Sequence, residues 1–310
     1  MTMTQAASTT MTRQQGLTDL EARFIAYLDA KPRTIDTYRK ALKQFFTYLA
    51  DNGITRPERT TIIAYRDSLL AEKKPTTVQT YMVTVRLFFR WAAQEGLYPN
   101  VADKVKGAKL DKAHKKDALT ANQARTILQA IDRGTLAGKR DYAILSLMMG
   151  GGLRTIEVSR ANLEDLGTAG GSAALYIQGK GRDEKTDYVK LPQPVEAAIR
   201  DYLKARGKAE GKEALFTSTS NNNAGQALTT RSISGIVKSH MRAAGFNSER
   251  LTAHSLRHTA GTLNLLHGGT IQETQQLLRH SNINTTMIYL HNLNRANNHS
   301  EARIAAAIFA

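Results

Sequence analysis

Apolar residues recur every three or four positions along most of this 310-residue chain. This spacing places them on one face of an α-helix, whereas a half-buried strand would alternate apolar and polar residues. In the first third of the chain the pattern falls into four segments, which begin near Thr18, Pro32, Glu58 and Thr77. We therefore predict a four-helix domain over residues 18–103, preceded by a disordered N-terminus over residues 1–17 that is rich in Thr, Gln and Ser.

One segment departs from the helical pattern. Residues 173–192 contain two short β-prone runs, Leu175–Ile177 and Tyr188–Leu191, on either side of a polar stretch that contains glycine. Such a pattern is typical of a β-hairpin with a long flexible tip. Helical spacing returns afterwards, so we predict a mainly α protein whose second domain, residues 118–310, carries a small β-sheet or hairpin and ends in a helix over residues 300–310.

The segment between the two predicted domains, residues 104–117, is rich in lysine and has no apolar periodicity, which favours a linker. Its lysines are Lys104, Lys106, Lys109, Lys112, Lys115 and Lys116. A lysine run is often no more than a solvated surface. It is also suited to binding the phosphates of a DNA duplex between two domains.

The chain as a whole is strongly basic, with 43 Lys and Arg against 27 Asp and Glu and a formal net charge of +16. Nucleic acid is the simplest partner for such a surface, and its binding should weaken steeply as salt is added. A flat salt response would contradict this prediction. An acidic membrane is less favoured, since we find no run of about 18 uncharged apolar residues. With no secretory signal in the sequence, we predict a bacterial-type cytoplasmic protein.

The absence of cysteine limits the possible chemistry. A count of zero excludes disulfides, thiolate nucleophiles, Cys-ligated zinc and Cys-held iron–sulfur clusters. Catalysis, if there is any, depends on histidine, carboxylate, hydroxyl and amine groups.

The densest group of reactive side chains surrounds His254 and Arg257, whose spacing of three places them on one helical face. A proton carrier beside a guanidinium suits attack on a phosphodiester, because Arg can bind two nonbridging oxygens while His moves protons. A capped helix start with an exposed ion pair is the simpler interpretation. A zinc site formed by His254 and His258 is another, although no Glu lies between them and no third ligand is near.

A glycine-rich turn, Gly150–Gly152, ends an apolar helix just before Arg154, and Glu157 lies on the same helical face as Arg154. Glycines at such a place let a phosphate approach backbone N–H groups, although most glycine-rich turns are simply turns.

Further along, His280 and Tyr289 are nine residues apart, about 900° of helical rotation, so one unbroken helix would place them on opposite faces. Capping residues at 281–284 predict a break and a new short helix carrying Tyr289. The simpler interpretation of Tyr289 is an aromatic residue of the core.

Together these motifs resemble the tyrosine recombinase (phage integrase-like, Xer-like) family over residues 18 to about 300. The matching stretches occur in the family's order: Gly-Leu-Arg-Thr-Ile-Glu, Gly-Lys-Gly in the hairpin, His-Ser-Leu-Arg-His-Thr, Leu-Leu-Arg-His-Ser and Thr-Thr-Met-Ile-Tyr. The resemblance implies a SAM-like core-binding domain and a catalytic domain that form a C-shaped clamp on double-stranded DNA with specific core sites. It also implies a homotetramer on two DNA sites, coupled through the C-terminal helix, and no need for a metal, ATP or another cofactor.

The resemblance also assigns roles to individual residues. Tyr289 would attack the scissile phosphate and form a 3′-phosphotyrosyl link, with Arg154 and Arg257 neutralising the nonbridging oxygens. Lys180 would protonate the departing oxygen, although Lys185 on the same hairpin is a second candidate. The supporting roles fall to His254 in acid–base transfer, to His280 as a hydrogen-bond donor to phosphate, and to Glu157 in orienting the region of His254.

One residue departs from the family pattern. Arg279 stands where the family usually has Gly, which indicates altered packing or an added phosphate contact, so we count Arg279 with the DNA-binding lysines.

The expected function is site-specific recombination or integration for a mobile element or for replicon resolution. Residues 1–17 are too short for the extra arm-binding domain of some phage integrases. The alternatives are relaxation of supercoils, as by a type IB topoisomerase, and a non-catalytic architectural DNA-binding protein.

Overall fold

The computed structural model describes residues 19–110, 117–179, 184–294 and 300–309. These residues belong to two compact units, which divide between residues 113 and 114. Helices predominate in both, and the described strands form one three-stranded antiparallel sheet in the second unit. The predicted mainly α fold is confirmed.

The N-terminal unit consists of four helices: α1 (residues 19–27), α2 (Pro32–Asp51), α3 (Arg59–Glu72) and α4 (Pro75–Gln94). Both α2 and α4 begin with proline, whose missing N–H costs no hydrogen bond at that position. Their apolar faces meet around Phe45, whose ring lies edge-on to Tyr65 of α3 at 5.0 Å and to Phe89 of α4 at 5.8 Å. The bundle that the apolar spacing predicted is therefore present.

The chain after α4 continues to pack on this unit. Val105 and Ala108 are buried in its core, and Arg86 of α4 donates a hydrogen bond to the carbonyl of Val105 at 2.9 Å. The first part of the predicted linker is thus held against the bundle by two apolar residues whose spacing gives no periodic pattern. Lys104, Lys106 and Lys109 are exposed, and Lys112, Lys115 and Lys116 lie outside the described residues.

The C-terminal unit has nine α-helices and three strands among its described residues, together with one short 3-10 helix, Leu163–Asp165, just before the sheet. The first six elements are α5 (Ala121–Gln129), α6 (Leu136–Gly151), α7 (Thr155–Ser159), β1 (Leu166–Ala169), β2 (Ser172–Ile177) and β3 (Asp187–Lys190). The others are α8 (Gln193–Arg206), α9 (Thr230–Ala243), α10 (Ala253–Leu266), α11 (Ile271–Leu278), α12 (Asn284–Asn294) and α13 (Ser300–Phe309). Helix α6 is the centre of this unit, because most of its residues are buried and it packs against α8 and α10.

The sheet has the strand order β1-β2-β3, with Leu166 paired to Leu175 and Tyr176 paired to Tyr188. Strands β2 and β3 are the predicted hairpin. Strand β1 was not predicted, since its four residues include only one large apolar side chain. The tip of the hairpin, including Lys180, lies partly outside the described residues.

Helix α13 leaves its apolar residues in solvent. The exposed fractions are 58% for Ile304, 66% for Ile308 and 84% for Phe309. Neither α13 nor any other described helix combines the length and apolarity that crossing a bilayer requires. The apolar face of α13 therefore has no cover within the described part of this chain.

Candidate active site

The glycine turn after α6 brings three helices close together. Gly152 has a φ of 59°, in the left-handed region, and ends α6. A Cβ at this position would lie 2.8 Å from Cδ2 of Leu278, so glycine is needed for the end of α11 to pack directly on the turn. The carbonyl of Gly152 accepts hydrogen bonds from Arg257 and Arg279, so the turn contributes acceptors for arginine.

Arg154 and Glu157 form a pair at the start of α7. The Arg154 Nη1 donates to Oε1 of Glu157 at 2.8 Å, and the Arg154 backbone N–H donates to Oε2 at 2.7 Å. Glu157 is completely buried, while Arg154 keeps about a quarter of its side chain exposed. Burial raises the pKa of Glu157, but the charge of Arg279 and the bonds and charge of Arg154 outweigh it and lower that pKa below its ordinary value. The pair fixes a charged carboxylate beneath a partly accessible guanidinium.

Arg257 of α10 is completely buried and joins two chain segments. Its Nη1 donates to the carbonyl of Gly152 at 2.6 Å, and its Nη2 donates to the carbonyl of Leu278. Burial, together with the charges of Arg154 and Arg279, lowers the pKa of Arg257 to about 9. Arg257 therefore stays a cation at neutral pH, in a place where positive charges repel one another and an anion would be stabilised.

His280 lies directly after Arg279, which ends α11 in the left-handed conformation. Its Nδ1 and the hydroxyl of Thr286 are 2.8 Å apart, which fixes the orientation of the ring. Burial, followed by the charges of Arg257, Arg154, Arg279 and His254, lowers the pKa of His280 to about 4. At neutral pH this ring is uncharged and acts as a hydrogen-bonding group.

The depressed pKa of His280 predicts a loss of stability in acid. Because the unfolded chain binds this proton near pH 6.5 and the folded chain only near pH 4, protonation favours unfolding as the pH falls through that window. We expect the free energy of unfolding to fall more for wild type than for His280→Asn between pH 7 and 4.5, as measured by urea titration. The matched control is His267→Asn, at an exposed histidine, which should follow wild type. Parallel curves for wild type and His280→Asn would contradict the assigned environment.

Tyr289 lies on α12, beyond the predicted break at residues 281–284, and is 5% exposed. Its ring stacks parallel to His280 at 6.5 Å between centroids, and His258 lies at 5.2 Å. Burial raises the pKa of Tyr289 to about 12, although the charges of Arg257 and Arg154 pull it down. The phenol therefore carries its proton at neutral pH, and its use as a nucleophile requires a proton acceptor.

His258 is a neighbour of Tyr289 that the motif reasoning missed. We considered His258 only as a zinc ligand beside His254, and the two rings meet edge to face at 4.6 Å. The described residues contain no group of three or more His, Asp or Glu side chains arranged to hold a metal. One helical turn separates His258 from His254, so its position beside the motif was readable from the sequence, whereas its contact with Tyr289 was not.

Other predicted residues fall in different places. The carboxylate of Glu157 binds Arg154 and Arg279, where we expected it to orient the region of His254. His254 is exposed at the start of α10. Lys180 lies outside the described residues, but Gly179 before it lines a cleft of about 1150 Å³ that is also lined by Arg154, Arg279 and His280.

Lys185, the second candidate for the proton donor, forms an ion pair. Its Nζ lies 2.6 Å from Oδ2 of Asp165, a carboxylate that is almost fully buried. The same oxygen accepts the backbone N–H of Asn162 at 2.6 Å. Lys185 therefore ties the hairpin to the short helix before the sheet.

Both units match known sequence families. Residues 22–96 match the family model of the phage integrase N-terminal SAM-like domain, and residues 117–295 match that of the phage integrase family. The chain belongs to the phage integrase family.

Its relatives include tyrosine recombinases of bacteria. The XerC protein of Caldanaerobacter subterraneus subsp. tengcongensis is 37% identical over 176 residues, which cover 56% of this chain and 46% of the relative. The XerC protein of Thermodesulfovibrio yellowstonii is 32% identical over 195 residues, which cover 62% of this chain and 63% of the relative. The chain thus spans between about half and just under two thirds of these curated relatives.

Solved structures share the fold. The XerH site-specific recombinase in its post-cleavage complex with difH substrate superposes with a TM-score of 0.69 at 20% identity, covering 86% of this chain and 80% of that one. The lambda integrase tetramer bound to a Holliday junction superposes with a TM-score of 0.67 at 18% identity, covering 89% of this chain and 76% of that one. At these identities the likeness establishes the fold alone.

Proposed function

We propose that this protein is a site-specific DNA recombinase that cleaves and rejoins strands through a 3′-phosphotyrosyl intermediate. The observation that carries the proposal is the convergence of Tyr289 with two arginines: its ring packs against His258 and His280, while Arg257 and Arg154 donate to the carbonyls of Leu278 and Arg279, just before His280. A hydroxyl beside two guanidinium groups fits attack on a phosphodiester, since charge gathers on the nonbridging oxygens during that step. The names of the relatives, tyrosine recombinases, support the same activity.

In the proposed step the Tyr289 oxygen attacks phosphorus and the bond to the 5′ oxygen breaks. The phenolic proton passes to a histidine, for which His254 is the predicted carrier and His258 the ring in contact with Tyr289. Arg154, which keeps about a quarter of its side chain exposed, binds the nonbridging oxygens, and the buried Arg257 helps to neutralise their charge. His280 donates a hydrogen bond, and Lys180 gives a proton to the departing 5′ oxygen. Because the phosphodiester is exchanged for another diester, the reverse reaction rejoins DNA without ATP. Tyr289 is only 5% exposed, so α12 must shift for its hydroxyl to reach phosphate in the cleft.

The proton donor can be tested with a better leaving group. Lys180→Ala should slow cleavage by roughly 10²- to 10⁴-fold, the usual contribution of a general acid. A 5′-bridging sulfur should restore most of that rate, because thiols are far more acidic than alcohols, with a pKa of about 8.5 for a cysteine side chain, so a thiolate leaves without a proton.

Lys185→Ala is the matched control for this test. It leaves Asp165 buried without its cation, so we expect a lower melting temperature and no selective rescue by sulfur. Rescue of Lys185→Ala and not of Lys180→Ala, measured as single-turnover rates, would reverse the assignment.

Covalent trapping tests the function itself. Nicked duplexes tiled across DNA that flanks the source gene lose a short 5′-hydroxyl fragment on cleavage, so the protein stays attached to the 3′ end. We expect an adduct that resists denaturant, forms equally in EDTA, and maps to defined positions. No adduct on any duplex, or cleavage that needs a divalent ion, would overturn the proposal and favour a non-catalytic DNA-binding protein.

Strand exchange between two DNA sites distinguishes a recombinase from the type IB topoisomerase alternative. Both would give the same adduct, but recombinant joints require a second site. The exposed apolar residues of α13, Ile304, Ile308 and Phe309, support our proposal that this helix docks on a neighbouring protomer of a homotetramer. The tetrameric lambda integrase on a Holliday junction shares the fold.

The remaining assignments concern DNA binding and biological role. We propose that Lys104, Lys106 and Lys109, which are exposed on the N-terminal unit, contact phosphates together with Lys112, Lys115 and Lys116. Integration or excision of a mobile element, or resolution of replicon dimers, then takes place on DNA in the cytoplasm.

A further inference from the structure

Arg279 occupies a backbone position that disfavours its side chain. Its φ is 52° and its ψ is 49°, in the left-handed region that is strained for a residue with a side chain. Among the described non-glycine residues, only Lys104 shares a positive φ. Glycine would fit here without strain, so the Arg279 side chain must supply something that outweighs this cost.

The side chain of Arg279 is buried in a set of hydrogen-bond acceptors. Only 9% of it is exposed. Its Nη1 donates to the carbonyls of Leu277 at 2.6 Å and Gly151 at 3.3 Å, and its Nη2 donates to the carbonyl of Gly152 at 3.1 Å. These carbonyls are at the C-terminal ends of α6 and α11, where the helix dipoles favour a cation.

The remaining acceptor of Arg279 is the carboxylate of Glu157. The Arg279 Nη2 donates to Oε2 at 2.9 Å, while Arg154 holds Oε1 through its Nη1. One buried carboxylate is therefore divided between two guanidinium groups. If Arg279 were glycine, Glu157 would pair with Arg154 alone, and its negative charge would offset the positive charge of Arg154, the cation that faces the cleft.

We propose that Arg279 is a positioning residue. By pairing with Glu157 it offsets part of the negative charge of that carboxylate, so that more of the positive charge of Arg154 acts on the phosphate in the transition state. The inference rests on the proposed strand-cleavage function. It replaces a direct phosphate contact by Arg279 with an indirect role, because the guanidinium of Arg279 is already bound to four acceptors on the protein. Cleavage needs this charge most when phosphorus carries five oxygens and an additional negative charge.

The experiment compares Arg279→Gly and Arg279→Lys with wild type on two versions of the trapped duplex. One has an ordinary scissile phosphate, and the other has a methylphosphonate, in which a methyl group replaces a nonbridging oxygen and removes its charge. We expect Arg279→Gly to slow single-turnover cleavage of the phosphate by roughly 10- to 100-fold, as for other groups that support a binding residue, with little change in the Kd for DNA. The defect should shrink on methylphosphonate, because less charge then has to be stabilised.

A second substitution isolates the route through Glu157. Glu157→Gln removes the charge that Arg279 neutralises, so Arg279→Gly should cost much less in a Glu157→Gln background than alone. Arg279→Lys keeps the charge without the planar fork and should fall between wild type and Arg279→Gly. Arg279→Lys also tests the proposal on its own if Arg279→Gly proves unstable.

Other outcomes overturn the inference. An equal defect on both substrates and in both backgrounds would mean that Arg279 only supports packing. A weaker Kd whose salt slope falls by about one, with an unchanged cleavage rate, would mean that Arg279 contacts phosphate directly. Unchanged rates throughout would mean that Arg279 has no role in cleavage. Absence of any adduct with wild type would overturn the proposed function instead.

Discussion

Replacing Tyr289 by phenylalanine is expected to abolish the covalent protein–DNA adduct, with a fall of at least about a thousandfold in cleavage rate. The change removes one oxygen and keeps the ring that packs against His258 and His280. The loss of rate therefore reports the nucleophile and not the fold. The measurement is the yield of denaturant-resistant adduct on the trapped duplex, together with the thermal melting of both proteins.

Tyr176→Phe is a matched control. Tyr176 carries the same hydroxyl in β2, where it donates to the carbonyl of Thr168 at 3.0 Å. We expect Tyr176→Phe to keep forming the adduct. An adduct of undiminished yield with Tyr289→Phe would exclude Tyr289 as the attacking group and would remove the basis for assigning this chain a tyrosine-dependent mechanism.

Arg257→Ala is expected to have the second largest effect, a fall in cleavage of roughly 10²- to 10³-fold. Arg257 is completely buried among Arg154, Glu157 and Arg279, and it contributes a cation at the point where charge gathers on phosphate. Removing it also leaves the carbonyl of Leu278 without its donor and the carbonyl of Gly152 with Arg279 alone, which should lower the free energy of unfolding by about 1–3 kcal/mol. Single-turnover cleavage and urea unfolding measure the two effects.

Arg257→Lys separates charge from geometry. A lysine keeps one positive charge but lacks the planar fork that donates to the carbonyls of Gly152 and Leu278 together, so its rate should lie between those of wild type and Arg257→Ala. Arg200→Lys, at an exposed arginine of α8, controls for the substitution itself and should cleave as wild type does. If a folded Arg257→Ala protein cleaved at the wild-type rate, Arg257 would be a structural arginine only.

Much of the fold was readable because its causes are local. Helix α2 begins at Pro32, as the apolar spacing indicated, and strands β2 and β3 pair as the predicted hairpin. The predicted break before Tyr289 is also present, since α12 begins at Asn284. Strand β1 escaped prediction because it has only one large apolar side chain, although Gly170 and Gly171 between β1 and β2 are a two-residue hairpin turn. The burial of Val105 and Ala108 on the N-terminal unit escaped it for a similar reason.

The site was predictable as a set of residues but not as a set of contacts. Motif order selected Arg154, Arg257, His280 and Tyr289, and the structure brings these four into one electrostatic environment. The contact of His258 with Tyr289 depends on where α12 lies against α10. The ion pair between Lys185 and Asp165 joins the hairpin to a helix and could not be read from either segment.

The sequence by itself determined the helices, the hairpin, the basic surface and the reactive side chains, because spacing, capping and charge act over a few residues. Only the tertiary structure decided how charge is shared at the site, since Glu157 and Arg279 are 122 residues apart and meet where the ends of α6 and α11 converge. The physical reason is burial: a carboxylate removed from water must be paired by whichever cation the fold brings to it.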